Sequence, residues 1–245
     1  YEHLYKDKNE KPLISVYIPT YNRAEILMQR AVPSVLAQTY KNFELIIVGD
    51  HCTDNTADLV SKIKDPRVRF YNLPTREYRY PPTAENHWLA GPAVAANQAL
   101  NMVRGKWIAR IDDDDTWTPD HLEALLQFAQ RGNCEFVSAS YIAERYGKRI
   151  TVDCKDEVPR IGGTQTWLYR SYLKSFKYNI NCWRKGWNRV NDTDLQDRFY
   201  KAGVRIGFLE KVVAFVLPRP GEKTIGLQAY KNSEEEKLKH FEFKE

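Results

Sequence analysis

KWIARIDDDDTWTPDHL, residues 106–122, begins as a strand and ends as the start of a helix. Trp107, Ile108 and Ile111 are β-favouring residues in a short apolar run. Thr118 can cap a helix and Pro119 suits its first position. Asp120 and Glu123 favour the positive end of its dipole. Between them stand Asp112, Asp113, Asp114 and Asp115, with no Lys or Arg following to relieve their repulsion. In an extended segment alternate side chains share a side, so Asp112 and Asp114 are expected to face one way. Two carboxylates at the end of a strand make a hard-cation site of the Mg²⁺ or Mn²⁺ type, completed by a substrate phosphate. The alternative is a solvated acidic turn that caps the helix.

The 245 residues are enough to bury a full core within one large domain. With 42% hydrophobic and 28% charged residues the composition is that of a globular chain, so disorder is not expected. Apolar runs such as VVAFVL (212–217) are of strand length, so neither a transmembrane helix nor a secretory signal is expected. Cys52, Cys134, Cys154 and Cys182 are widely spaced without a CxxC pair. They read as reduced thiols of a cytoplasmic protein, not as a zinc site or disulfide frame. The net charge of +5 is mild. No RNA- or DNA-binding motif accompanies it, so a nucleic-acid partner is not expected.

Working outward, LISVYI (13–18) reads as a buried strand ended by Pro19, with a polar turn at 20–23. A helical pattern runs from Ala24 towards Gln38, kinked or divided by Pro33. ELIIVG (44–49) and VRFY (68–71) are further strands, with a helix starting near Asp54 between them. Residues 72–91 read as a long, proline-bearing loop, a length usually associated with function. A helix over 93–103 then leads into the 106–111 strand. In the second half, 122–128 and 192–202 read as helices, the latter stopped by Gly203. Strands are expected at 135–139, 204–209 and 212–217, with a loop at 218–226. Strand and helix alternating at this spacing imply a doubly wound α/β sheet with helices on both faces, within a single domain. In such sheets ligands bind at the carboxyl ends of the strands. Thr20, Asp50 and Asp112–Asp115 all lie just after strands and are expected to converge.

The order of these motifs resembles the inverting family 2 glycosyltransferases with the GT-A fold, over about residues 13–217. SVYIPTYNR (15–23) resembles the first strand and turn, which in that family line the nucleotide site. The resemblance therefore implies donor contacts from Pro19, Thr20, Tyr21 and Arg23. VGDHCTDNT (48–56) is similar to the second strand and turn. There Asp50 matches the acid that hydrogen-bonds the base, while Gly49 stands where the family more often has another acid. IDDDDTWTPDHL (111–122) is similar to the D-x-D region: Asp114 is implied as metal ligand, with Asp112 and Asp113 facing ribose or metal. NDTDLQDRFYKAG (191–203) resembles the helix that carries the catalytic base. The spacing to Arg198 and Gly203 implies Asp192 as that base, with Asp194 as the fallback. Asn97 falls in a further donor-binding segment, where the Arg that often precedes Asn in the family is here Ala96. Thr224 belongs with Arg219 and Lys223 in the 218–226 loop, expected to close over the diphosphate. The helices of membrane-embedded processive synthases and their Q-x-x-R-W motif are missing, so processive polymer synthesis is not expected.

These resemblances imply a metal-dependent, inverting transfer of a sugar from a nucleotide-diphosphate sugar, UDP being favoured, with Mn²⁺ or Mg²⁺. The acceptor would be a glycan or a lipid-linked sugar. A halving of the chain follows: 13–115 for the donor, 116–226 for the acceptor and 227–245 as a charged tail. Residues 160–189 carry seven Lys/Arg, no acid and many aromatics. Most of those aromatics are expected in the core. Trp183, Trp187 and Gly163 are the acceptor candidates, and a peripheral membrane surface is a further expectation. Nothing in the sequence sets the oligomeric state. Two other readings stay open: a non-catalytic nucleotide-sugar or glycan-binding domain, which needs no base, and a sugar nucleotidyltransferase, whose glycine-rich phosphate loop SVYIPTYNR does not supply.

Overall fold

A computed structural model describes residues 11–76, 79–184 and 190–231. Among these residues, nine strands form one mixed sheet in the order β3-β2-β1-β4-β8-β6-β9-β5, with β7 (Lys148–Val152) hydrogen-bonded to β6. Its first half is parallel: β1 (Ile14–Thr20) lies between β2 (Phe43–Gly49) and β4 (Trp107–Arg110), and β3 (Val68–Asn72) flanks β2. The chain order reverses across β1, which opens a crevice at the carboxyl ends of β1, β2 and β4. β8 (Leu168–Arg170) adds antiparallel to β4 and continues the sheet into β6 (Phe136–Arg145), β9 (Ile206–Val216) and the short β5 (Asp115–Trp117).

The strands are buried on both faces. Ile14, Val16 and Ile18 enter one core with Leu27, Val35, Leu122 and Leu125. Tyr17, Ile46 and Val48 enter the other, against an alanine-lined helix that presents Ala93, Ala96 and Ala99. This period-two partition puts helices on both faces, as expected.

The helices are α1 (Ala24–Gln29), α2 (Ala31–Leu36), α3 (Thr56–Ser61), α4 (Ala84–Ala90), α5 (Ala93–Met102), α6 (His121–Arg131), α7 (Asn191–Lys201) and α8 (Leu227–Lys231). Several expectations need correction. Pro19 does not end β1; it pairs opposite Val48 inside the strand. The register to β4 stops at Tyr17, so no neighbour on that side calls for the N–H that proline lacks. The 24–38 helix breaks at Arg30, not at Pro33, which sits in the first turn of α2. Proline is tolerated in a first turn. Arg30 is held out of the helix by bonds from Nη1 to the carbonyls of Asp114 and Leu217 and from Nη2 to that of Pro218.

Residues 72–91 are not all loop. Thr83 accepts a hydrogen bond from the amide of Asn86 at 3.1 Å and so caps α4. Thr118 and Pro119 do not start α6. The Thr118 hydroxyl turns to Asp120, and the Gln38 amide oxygen accepts from the Leu122 N–H at 3.0 Å instead. The strands expected at 204–209 and 212–217 are one strand, β9, with a register shift that leaves Glu210 and Lys211 exposed.

Gly49 also has a structural reason. A Cβ there would collide with the side-chain oxygen of Asn72, which accepts from the Cys52 N–H at 2.8 Å. The Asn72 amide returns a bond to the Cys52 carbonyl at 2.9 Å. Gly49→Ala is therefore expected to destabilise the fold by about 1–3 kcal/mol. Urea unfolding that gives the parent's midpoint would show that Asn72 yields freely.

Candidate functional site

A cleft of about 530 Å³ opens at the carboxyl ends of β1, β2 and β4. Its lining includes Pro19, Thr20, Tyr21, Arg23, Asp50, Asp112, Asp113, Asp114, Gly163 and Asp192, all singled out from the sequence. Two donor-side candidates lie outside that lining. Asn97 spends its amide on the backbone of Tyr178, donating to the carbonyl at 2.9 Å and accepting from the N–H at 2.7 Å. It thereby pins the chain after β8 instead of facing the cleft. Thr224 is buried, with no hydrogen-bond partner for its hydroxyl among the described residues. Trp183, on a short 3₁₀ turn, is also outside the lining, with the Arg184 guanidinium 4.8 Å from its ring centroid. Trp187 lies outside the described residues. Most other aromatics of 160–189 are core, as expected: Trp167, Tyr169 and Tyr178 are buried.

The four aspartates form a turn into β5, not a strand end, so Asp112 and Asp114 do not share a side by pleat. Their repulsion is relieved by arginines, one just before them in sequence and two far from them. Arg110 grips Asp112 Oδ1 through Nε at 3.0 Å and Nη2 at 2.9 Å. Asp113 accepts from the Thr20 hydroxyl at 2.7 Å and from Arg23 Nη1 at 3.0 Å. Burial nevertheless outweighs Arg23 and raises the Asp113 carboxyl above its ordinary value. Asp115 is pushed well up by burial and by its three acidic neighbours. Asp114 is held by longer contacts than Asp112 and Asp113: Arg23 and Arg219 stand 3.5 and 3.7 Å from its Oδ2.

Asp50 is buried and faces two guanidinia, Arg76 Nε at 3.0 Å and Arg79 Nη1 at 2.9 Å. Arg76 also stacks over the Tyr21 ring, 3.9 Å from its centroid. Tyr230 of α8 closes the opposite wall, its hydroxyl accepting from Arg23 Nη2 at 2.8 Å and Arg219 Nη1 at 3.1 Å. Asp192, at the start of α7, accepts from the Thr193 N–H at 2.7 Å. Burial raises its carboxyl above the ordinary value, opposed mainly by Arg110. Asp194 faces away from the cleft, paired with Arg198 at 2.9 Å. Arg198 in turn donates to the Phe176 and Lys177 carbonyls.

Arg110, Trp88, Gln165 and Tyr230 line the cleft but were not singled out from the sequence. Arg110 left one signal, a cation at the end of an apolar strand immediately before the acids. Among the described residues, no group of three or more His, Cys, Asp or Glu gathers to hold a metal. The donor set does fit a Mg²⁺- or Mn²⁺-type ion held by the lightly engaged Asp114, with substrate phosphates supplying further oxygens.

The family model described as glycosyl transferase family 2 matches residues 15–81 and 83–190. A colanic acid biosynthesis glycosyl transferase, WcaA of Escherichia coli K12, is 37% identical over 122 residues, 49% of this chain and 39% of its own. The Bacillus subtilis teichuronic acid biosynthesis glycosyltransferase TuaG is 36% identical over 135 residues, 54% of this chain and 48% of its own. WfaP of Escherichia coli, a UDP-Glc:α-D-GlcNAc-diphosphoundecaprenol β-1,3-glucosyltransferase, is 33% identical over 133 residues, 54% of this chain and 47% of its own. These matches thus span under half the length of each relative.

Among solved structures, Staphylococcus aureus TarS with UDP superimposes with a TM-score of 0.66 at 19% identity, covering 84% of this chain and 61% of that one. A Pyrobaculum calidifontis mannosyltransferase with GDP-Man and Mn²⁺ gives 0.63 at 18% identity, covering 86% and 59%. At such identities the likeness is one of fold, and the fold is GT-A. With the family model matched across most of its length and the cleft where that fold requires it, the chain belongs to glycosyl transferase family 2.

Proposed function

We propose that the chain transfers a sugar from a nucleotide-diphosphate sugar, UDP being the favoured nucleotide, to a hydroxyl of a glycan or lipid-linked acceptor, with inversion. The observation that carries this is convergence: Asp50, Asp112–Asp114 and Asp192, spread over 140 residues of sequence, line one cleft. Tyr21 and Asp50 supply a ring and a carboxylate for the base. Arg23 and Arg219 supply the cations for a diphosphate.

A divalent ion held by Asp114 and possessing open positions would neutralise charge on the departing nucleotide. Asp192 takes the proton of the acceptor hydroxyl. Burial raises its carboxyl, which makes it a stronger base than an exposed aspartate, while Arg110 favours its ionised form and partly opposes that shift. A binding module would have no use for such a carboxylate facing the donor site, which favours the enzyme reading. The acceptor side is drawn from Gly163, Thr164 and Gln165 across the cleft.

The test is thermal melting with UDP-, GDP- and dTDP-sugars, with and without Mn²⁺. Saturation at one hundred times Kd should stabilise the fold by about 2.7 kcal/mol. Asp114→Asn is expected to melt like the parent without ligand and to lose the metal-dependent part of the shift. Equal stabilisation of the parent by UDP in EDTA and in Mn²⁺ would overturn the metal's part.

A further inference from the structure

The β6–β7 hairpin ends beside the cleft, and its tip has a composition that folding does not explain. β7 (Lys148–Val152) pairs antiparallel with β6 so that Arg145 faces Lys148, Ala143 faces Ile150 and Tyr141 faces Val152. Residues opposite one another in such a ladder lie on one face of it. Tyr141 and Arg145 line the cleft, so Lys148 and Ile150 extend the same wall outward. Every residue from Arg145 to Thr151 is exposed.

The two-residue turn is Tyr146-Gly147, with φ of +51° and +73°. Both central residues at positive φ is the pattern of hairpin turns that favour Asn-Gly or Asp-Gly. A bulky aromatic is disfavoured there, yet Tyr146 holds the position with 61% of its surface exposed. Ile150 is 50% exposed. Arg145 and Lys148 share the face of Ile150, and Arg149, opposite Glu144, lies on the other face. Lys223 joins the rim through its carbonyl, which accepts the Tyr146 N–H at 2.5 Å. The one acid of the tip, Glu144, is paired with Arg149 at 2.9 Å. Strained, exposed and apolar positions flanked by cations suit a ligand that is anionic at its surface and apolar beneath.

We propose that the Arg145–Ile150 hairpin tip docks on an anionic lipid bilayer and so presents a lipid-linked acceptor to the cleft along the Tyr141–Arg145 wall. Tyr146 and Ile150 enter the interface, where an amphipathic ring and an aliphatic chain are both stable. The cations pair with phosphate headgroups. The proposal rests on the lipid-linked form of the acceptor in the proposed function.

The experiment is vesicle flotation of the full chain with phosphatidylcholine alone and with phosphatidylcholine mixed with phosphatidylglycerol. The parent is expected to float only with the anionic vesicles, and less as salt is raised. Lys148→Gln and Arg149→Gln should each weaken binding about fivefold. Tyr146→Asn restores a favoured turn residue and Ile150→Thr keeps a β-branched strand residue, so both should fold while binding vesicles more weakly. Nucleotide-sugar melting shifts, measured in parallel, should be unchanged in all four. Parent chain that ignores anionic vesicles, variants that float like the parent, or a preference for a soluble acidic polysaccharide over vesicles would overturn the docking surface. Flotation without any nucleotide-sugar shift would leave the docking surface standing and remove the transferase reading instead.

Discussion

Asp192→Asn is expected to lower transfer by about 10²–10⁴-fold, the range for loss of a general base, with donor binding near that of the parent. The side chain lines the cleft but is not among the groups proposed to hold the diphosphate or the base, so its loss should leave donor binding largely intact. Asn retains an oxygen that can accept the Thr193 N–H, now held at 2.7 Å, and the start of α7 should survive. Melting temperature is therefore expected to stay close to that of the parent. The parent's rate should rise with pH along a limb displaced upward from that of an ordinary carboxylate. Burial raises the Asp192 carboxyl, and the nearby Arg110 only partly opposes it. That limb should be missing from the variant's residual activity. Asp194→Asn should act differently, costing stability through Arg198 and the carbonyls it holds. Substantial transfer by Asp192→Asn together with its abolition by Asp194→Asn would move the base to the second acid. Substantial transfer by both would remove the base from this helix.

The second large effect is on stability in acid. His121 is buried, stacked on Trp117 at 3.8 Å, with Nδ1 placed 3.0 Å from the Val213 carbonyl. Burial lowers its pKa to about 3. In the unfolded chain it would bind a proton below its ordinary value near 6.5. Between these two values the unfolded state holds more protons, so stability rises with pH there. The contribution is fully present above about 6.5 and is lost as pH falls towards 3, amounting to about 4–5 kcal/mol in all. Asp113, Asp115 and Asp192 run the other way, because their raised carboxyls favour the folded state at low pH and lose that contribution as pH rises. The parent alone therefore mixes opposing slopes.

His121→Gln isolates the histidine, since Gln can donate to the Val213 carbonyl but does not titrate. The gap between parent and variant, measured by urea unfolding, should change by roughly 2 kcal/mol between about pH 7 and pH 5. Parallel stability profiles for the two proteins would show that the ring is protonated without cost.

The parallel half of the sheet was legible in the sequence because each strand there is a short apolar run closed by a turn, and both signals are local. The antiparallel half was less so. β8 lies in a segment whose charges and aromatics carry no period, and β9 reads as two strands because Glu210 and Lys211 interrupt it at a register shift. α4 was hidden among prolines and aromatics, and only the Thr83 cap marks its start.

By itself the sequence determined which carboxylates meet at the cleft. Asp50, the four aspartates and Asp192 each sit just after a strand or at a helix start, and strand ends of a doubly wound sheet converge whatever the loop lengths. Only the tertiary structure decided how those charges are balanced. Arg110 is two residues from Asp112, but Arg23 and Arg219 reach Asp114 from 91 and 105 positions away. Asn97 and Thr224, matched by position in the chain, were turned from the cleft by a backbone partner and by burial. The physical reason is one of range. Strand, turn and cap preferences act over a few residues and can be read in order, whereas desolvation and Coulomb pairing depend on distances in space that the fold alone sets.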